Sequence, residues 1–192
     1  MTGGYFAQAF IFLVKSACDL YLLAVVLRFL LQLVGADFYN PVSQFLVKVT
    51  NPVLRYLRRF IPGYRGIDWS SIVLMMLIKA VEICLISLTA SGMVPALPGL
   101  LISSLAQLLH QVTYVFIVAV FIQVLLGWIN PGAYNAITVI LYRLTEPMLK
   151  RARQLLPPAG GIDFSPILVF VVLQLVIILL INPLADLGRA WS

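Results

Sequence analysis

Four long apolar stretches divide the chain. They cover residues 5–34, 70–89, 105–129 and 166–181. A helix of about 20 apolar residues crosses the hydrocarbon core of a bilayer, and each stretch is close to that length or beyond it. Most of the prolines lie at the ends of these stretches or between them. The pattern predicts an all-α membrane protein with four transmembrane helices.

The segments between the first and second stretches, and between the third and fourth, have a different pattern. Apolar residues recur at helical spacing over residues 42–60 and again over 137–156. Asn40 and Asn135 are suitable N-caps, Pro41 suits a first helical turn, and Pro52 is expected to kink or divide its helix. We expect two amphipathic helices that lie in the membrane interface with the apolar face down. The alternative is that they have only a structural role, in which they connect successive spans and pack against them.

The chain contains one unit twice. Residues 50–72 align without a gap with residues 145–167, and ten of the 23 aligned positions are identical. Each copy reads span, amphipathic segment, span. An even number of spans makes the copies parallel, so both termini should lie on one side of the membrane. The predicted repeats are residues 1–95 and 96–192.

Composition agrees with a membrane location. Hydrophobic residues make up 62% of the chain and charged residues 10%, against about 25% charged residues in a soluble domain. The net charge of +6 is concentrated in the two amphipathic segments. By the positive-inside rule, we expect these segments to be cytoplasmic and both termini to be outside, in a multi-pass membrane protein.

The basic residues also indicate a partner. We expect their side chains to face anionic lipid headgroups, at about 1 kcal/mol each. The chain has no basic tract interleaved with aromatic residues, so no nucleic-acid partner is expected. The predicted lipid-facing basic residues are Lys48, Arg55, Arg58, Arg59, Lys150, Arg151 and Arg153.

The most closely repeated stretch is the exit from each amphipathic segment. A proline ends the helix, a glycine allows a turn, and an aspartate and a serine start the next span, where they can cap its free N–H groups. Arg55, Arg58 or Arg65 could pair with the first aspartate, and Lys150 or Arg153 with the second. The motif is either capping and turn chemistry alone or a docking surface or anion site at the cytoplasmic face. Its residues are Pro62, Gly66, Asp68 and Ser70, and then Pro157, Gly161, Asp163 and Ser165.

Charged residues inside the spans are the third feature. Lys15 and Asp19 lie in the first span, and Lys79 and Glu82 in the second. Charges at membrane depth are costly and are usually paired or functional. At 1.5 Å per residue, Asp19 matches Lys79 in depth and Lys15 matches Glu82. The sequence therefore predicts a clasp of two ion pairs between the first two spans.

Enzyme chemistry has no support in the sequence. There is no Ser/His/Asp set and no glycine-rich phosphate loop. One histidine and two cysteines, both inside spans, do not provide the usual ligands of a metal site. We therefore predict a non-enzymatic protein without a cofactor.

The doubled Pro-x-x-x-Gly-Ile-Asp-aromatic-Ser motif, with its flanking spans and basic segments, resembles the YggT (YlmG-like) family of bacterial membrane proteins. It starts at Pro62 and again at Pro157, and the resemblance covers nearly the whole chain. It implies two YGGT repeats in an integral membrane protein. Relatives have been linked to haem attachment in a plastid cytochrome, to nucleoid distribution and division, and to osmotic or potassium stress.

Two functions follow as expectations. The first is an inner-membrane scaffold or assembly factor that acts through lateral helix contacts with a membrane-protein partner or a second copy, and through its basic cytoplasmic segments. The alternative is a small ion channel or transporter in osmotic or potassium homeostasis, which the resemblance implies. Four spans with one cluster of paired charges leave little to line a pore, which favours the scaffold.

Overall fold

The computed structural model describes residues 3–64, 66–130, 132, 135–156 and 163–191. Its secondary structure is helical, apart from one antiparallel bridge between Tyr64 and Ile67. The helices are α1 (Gly3–Leu33), α2 (Pro41–Phe60), α3 (Trp69–Ser91), α4 (Leu97–Ile129), α5 (Ala136–Leu155), α6 (Ser165–Val176), a π-helical segment (Ile177–Ile181) and α7 (Asn182–Ala190). Four stretches are long and apolar enough to cross a membrane: Gly4–Leu33, Trp69–Ser91, Leu97–Ile129 and Ser165–Ala190. The prediction of an all-α membrane protein with four spans in two repeats is confirmed.

Two spans are longer than the sequence predicted. The third begins at Leu97 rather than near Leu105, with a proline in its first turn, so half of the uncharged link between the repeats is helical. The fourth continues beyond Ile181 to Ala190. Pro183 has no N–H and its ring clashes with the carbonyl four residues earlier. The π-helical segment just before it widens the backbone there, so the helix continues instead of ending.

The amphipathic helices begin where the sequence predicted. The Asn40 side chain accepts a hydrogen bond from the backbone N–H of Val42 at 2.9 Å. Asn135 and Thr138 form a full capping box at the start of α5. Of the two effects expected of Pro52, a kink or a division of the helix, division does not occur, because α2 is one helix from Pro41 to Phe60. The face that α2 buries against the spans stabilises it on both sides of the proline.

The spans pack in a row, with α3 between α1 and α4, and α7 on the far side of α4. On this row, α2 lies against α1 and α5 against α4. Leu54 of α2 and Leu149 of α5, which are 95 positions apart, are both buried among the spans. We call the two amphipathic helices the shelf. The shelf end is the end of the bundle that carries them, and the terminal end is the opposite one.

Helix α7 approaches α4 closely near the terminal end. A Cβ atom at Gly188 would lie 2.8 Å from the backbone nitrogen of Ser103, which is closer than real Cβ contacts. Glycine is therefore required for this packing, as is common where transmembrane helices touch. This contact holds the last turns of the fourth span against the start of the third.

Candidate functional site

The first functional element is a repeated link between each long span and its shelf helix. An Arg28 nitrogen donates to the Thr50 hydroxyl at 2.8 Å, which ties α1 to α2. At the equivalent positions 95 residues later, the Gln123 amide and the Thr145 hydroxyl are hydrogen-bonded, which ties α4 to α5. Both threonines are fully buried. The repeat thus preserves a polar contact in an apolar setting, where an unpaired polar group is costly.

A second repeated link closes the exit from each shelf helix. Arg58 pairs with Asp68, and Arg153 pairs with Asp163 at 3.0 Å, again 95 positions apart. Among the offered partners that the structure describes, Arg58 and Arg153 are the ones that form these pairs.

The aspartates differ in their second contact. Asp68 accepts from the hydroxyl of Ser71 at 2.9 Å, and the nearby backbone N–H of Ser71 also contributes to its low pKa. Asp163 accepts from the backbone N–H of Ser165 at 2.9 Å. In both copies, the aspartate therefore contacts a serine in the first turn of the next span.

Electrostatics at these exits favour the charged carboxylates. Burial raises the pKa of Asp68, but hydrogen bonds from Arg58 and Ser71 outweigh it, and the pKa is lowered. The pKa of Asp163 is likewise lowered, because hydrogen bonds from Ser165 and Arg153 outweigh its slight burial. Both side chains are thus held as anions next to a fixed arginine.

The turn between the helices matches the motif in the first copy. Gly66 has a φ of 79°, a left-handed conformation that favours glycine. The Ser70 hydroxyl donates to the Ile61 carbonyl at 2.6 Å and joins the end of α2 to the start of α3. Pro62 lies at the bend after α2, and Ser165 is fully buried at the start of α6. Pro157, Gly161 and Arg65 lie outside the described residues.

The shelf exposes two further faces beside the one that it buries. On α2 an apolar stripe remains exposed at helical spacing, formed by Phe45, Val49, Val53, Tyr56 and Phe60. The basic side chains of Lys48, Arg55, Arg58 and Arg59 are exposed on a different side of the helix. A helix packed sideways on the spans, with one apolar and one basic side, suits the plane of a membrane interface.

The basic positions only partly repeat in α5. Lys150 occupies the place of Arg55 and is exposed, whereas Arg153 is half-buried in its ion pairs with Glu146 and Asp163. Arg151 is exposed at the position of Tyr56, on the apolar side. The two shelf helices therefore present different surfaces.

The charges inside the spans form a triad rather than two pairs. The Lys79 nitrogen lies 2.7 Å from an Asp19 oxygen, so this predicted pair is confirmed. The predicted Lys15–Glu82 pair was wrong, because Glu82 also lies 2.7 Å from Lys79. Lys79 and Glu82 are three residues apart on one face of α3, and that proximity outweighs the match in depth across helices. Lys79 and Glu82 are buried, whereas the Asp19 side chain is 34% exposed.

The triad lies at mid-membrane level. Asp19 is 16 residues from the start of α1 and 14 from its end, or about 24 and 21 Å at 1.5 Å per residue. Lys79 is 10 residues from the start of α3 and 12 from its end. Charges at this depth are a default indication of function in a membrane protein.

A cavity of about 600 Å³ opens above the triad. Lys15, Asp19, Lys79 and Glu82 line it together with polar residues of α4 and with residues near the terminal end, among them Pro95 and Arg189. It extends from mid-membrane level toward the terminal end. On the shelf side of the triad, the buried apolar side chains of Leu22 and Met75 close the bundle.

This cavity was not predicted from the sequence. Ser103, Gln107, His110 and Gln111 line it from α4 and recur at helical spacing in the first half of that helix. That polar face was visible in the sequence, but it lies partly in the segment that had been read as a link. The depth and volume of the opening could not be read from the spacing within one helix.

The order of the helices and the contacts that recur 95 positions apart define this chain as a four-span membrane protein of two parallel repeats. A model of the CCB3/YggT family matches residues 7–89 and again residues 102–184. The two matches are offset by 95 positions, as are the contacts described above. The chain belongs to the CCB3/YggT family.

Relatives of similar length support this assignment. The chain is 46% identical over 178 residues to an uncharacterized protein of Pseudomonas aeruginosa, covering 92% of this chain and 90% of that protein. It is 33% identical over 165 residues to the uncharacterized protein YggT of Escherichia coli K12, covering 86% and 85%. A shorter match, 38% over 69 residues, is to the uncharacterized protein ycf19 of Guillardia theta and covers 35% of this chain and 76% of that protein. No solved structure matches.

Proposed function

We propose that this protein is a non-enzymatic scaffold or assembly factor of the bacterial inner membrane. In this proposal the shelf faces the cytoplasm, binds anionic lipid headgroups, and docks a membrane-protein partner or a second copy. Both termini are then outside, in accord with the positive-inside rule.

The observation that carries the proposal is the double fixation of each shelf helix. The Arg28–Thr50 contact holds α2 near its middle, and the Arg58–Asp68 pair holds its end. The same two links recur in α5. A surface held at two points per helix keeps its exposed side chains pre-organised for binding, which lowers the entropic cost of docking.

Lateral contact is supported by the spans themselves. The outer half of α1 carries large apolar side chains that are exposed in the monomer, among them Phe6, Phe12 and Leu13. Lipid or another transmembrane helix can cover these surfaces. A scaffold that binds through both helices and shelf needs such open surfaces.

A channel or transporter is the second candidate, because the cavity reaches mid-membrane level from one side. Leu22 and Met75 close the path toward the shelf in this conformation. Transport would require the packed core beneath the triad to open. The fixed shelf requires no such motion, and for that reason the scaffold is preferred.

Site-specific photo-crosslinking tests the scaffold. A photoreactive residue at position 51, which is exposed on the basic side of α2 one turn before Arg55, should give a discrete crosslink to a protein in native membranes. Replacing Arg55 and Arg59 by glutamine should abolish the crosslink, whereas replacing both by lysine should preserve it, because lysine keeps the charge. Crosslinks to lipid alone, or a protein crosslink that is indifferent to charge, would refute docking through the basic shelf.

A further inference from the structure

One charged side chain in the cavity, that of Lys15, has no ion-pair partner among the described residues. Lys15 lines the cavity and is exposed, and among the described residues it takes part in no ion pair. Both carboxylates nearby, Asp19 and Glu82, are instead bound to Lys79. An unpaired ammonium group at membrane depth is costly unless water or a ligand solvates it.

One anion in the cavity is accessible as well. The Asp19 side chain is 34% exposed, while those of Lys79 and Glu82 are 5% and 2% exposed. Asp19 is four residues from Lys15 on the same face of α1, about 6 Å closer to the shelf end. Whatever enters from the terminal end therefore meets a positive charge first and a negative charge one helical turn deeper.

The remaining wall suits a small polar molecule. Gln107, His110 and Gln111 of α4 supply hydrogen-bonding groups beside these two charges. A volume of about 600 Å³ lies within the usual range of small-molecule sites. Ile83 and Ile86 supply apolar surface next to these groups. The charged and amide side chains of the lining disfavour a purely apolar chain, because they would lose their hydration, and the positive charge of Lys15 disfavours a simple cation.

We propose that this cavity binds a small zwitterionic solute, with its ammonium group toward Asp19 and its carboxylate toward Lys15. This site goes beyond the scaffold function and does not depend on the shelf. A solute with both charges satisfies both side chains, whereas a solute with one charge leaves the other side chain unpaired.

Isothermal titration calorimetry on the purified full chain in nanodiscs tests the proposal. The probes are glycine, 4-aminobutyrate and 6-aminohexanoate, with the matching alkylammonium and carboxylate compounds as singly charged analogues. At least one zwitterion should bind about tenfold more tightly than both of its analogues. Failure of all three zwitterions to bind saturably up to roughly 10 mM, or equal affinity for an analogue, overturns the proposal.

A single substitution separates this site from general charge effects. Lys15→Met should reduce the affinity for the zwitterion to that for the alkylammonium analogue. It should not lower the thermal midpoint, because Lys15 makes no ion pair whose loss would destabilise the fold. Lys48→Met on the shelf is the matched control and should bind as the wild type does. A zwitterion affinity that is unchanged in Lys15→Met, or reduced equally in both variants, contradicts the assignment of Lys15.

Discussion

Removal of Lys79 should damage the fold more than any other single change among the charges inside the spans. Its nitrogen lies 2.7 Å from both Asp19 and Glu82. At an effective dielectric constant of 20, each contact is worth about 6 kcal/mol before desolvation is subtracted. Breaking a buried pair costs roughly 3 to 5 kcal/mol net, because a charge is left uncompensated. Lys79→Met should therefore lower the free energy of unfolding by about that amount.

The two carboxylates should not contribute equally to this loss. Glu82 is buried, so without Lys79 its charge has no solvent, whereas Asp19 can be hydrated from the cavity. Adding Glu82→Gln to Lys79→Met should restore about 2 to 3 kcal/mol, near the upper end of measured couplings. Adding Asp19→Asn to Lys79→Met should restore less than about 1 kcal/mol, because the surviving Glu82 charge remains buried.

Steric trapping measures the free energy of unfolding in a bilayer mimic. It should be applied to the wild type, to Lys79→Met, and to Lys79→Met combined with Glu82→Gln or with Asp19→Asn. The single variants Glu82→Gln and Asp19→Asn complete the double-mutant cycles. A larger restoration by Asp19→Asn than by Glu82→Gln would show that the burial of the triad is not as described here. Additive losses at positions 79 and 82 would show that these two side chains do not interact.

Three further changes test the packing and the repeated links. Gly188→Leu should cost about 1 to 3 kcal/mol by overpacking, whereas Gly127→Leu, which faces open space, should be nearly neutral in the same unfolding assay. Thr50→Val should cost about 1.5 to 3 kcal/mol because it leaves a buried arginine unpaired, and Thr145→Val about 1 kcal/mol because its partner is neutral; equal losses would argue against that difference. The lowered pKa of Asp68 means that its stabilisation is present at neutral pH and is lost as the pH falls below about 4, so the unfolding midpoint of Asp68→Asn should lack this acid-dependent drop.

Much of the architecture follows from local chemistry that a sequence displays directly. Asn40 and Asn135 precede apolar residues at helical spacing, and both form the expected caps. The repeat of 95 positions also identified, without a structure, which residues should make equivalent contacts. The pairs Arg58–Asp68 and Arg153–Asp163 were among the alternatives that the sequence offered.

The predictions that were wrong or missing depend on the three-dimensional arrangement of the helices. Matching residues by their depth in the membrane correctly paired Asp19 with Lys79. Depth carries no information on the rotation of each helix, so Glu82 was predicted to pair with Lys15, whereas it pairs with Lys79. The fourth span was expected to end at Ile181, two residues before Pro183. It continues because a π-helical segment accommodates the proline, and such a segment leaves no clear pattern in the sequence. The cavity is lined by residues of α1, α3 and α4 together, and the spacing within one helix does not reveal how several helices enclose a space.

The central claim is that the shelf lies on the cytoplasmic face and the cavity opens on the opposite face. Cysteine labelling in intact cells with a membrane-impermeant thiol reagent tests both parts, in a background where Cys18 and Cys84 are replaced by alanine. Gln107→Cys, in the cavity, should be labelled in intact cells, and Gln154→Cys, exposed on the shelf, should be labelled only after permeabilisation. Labelling of Gln154→Cys in intact cells would contradict the account.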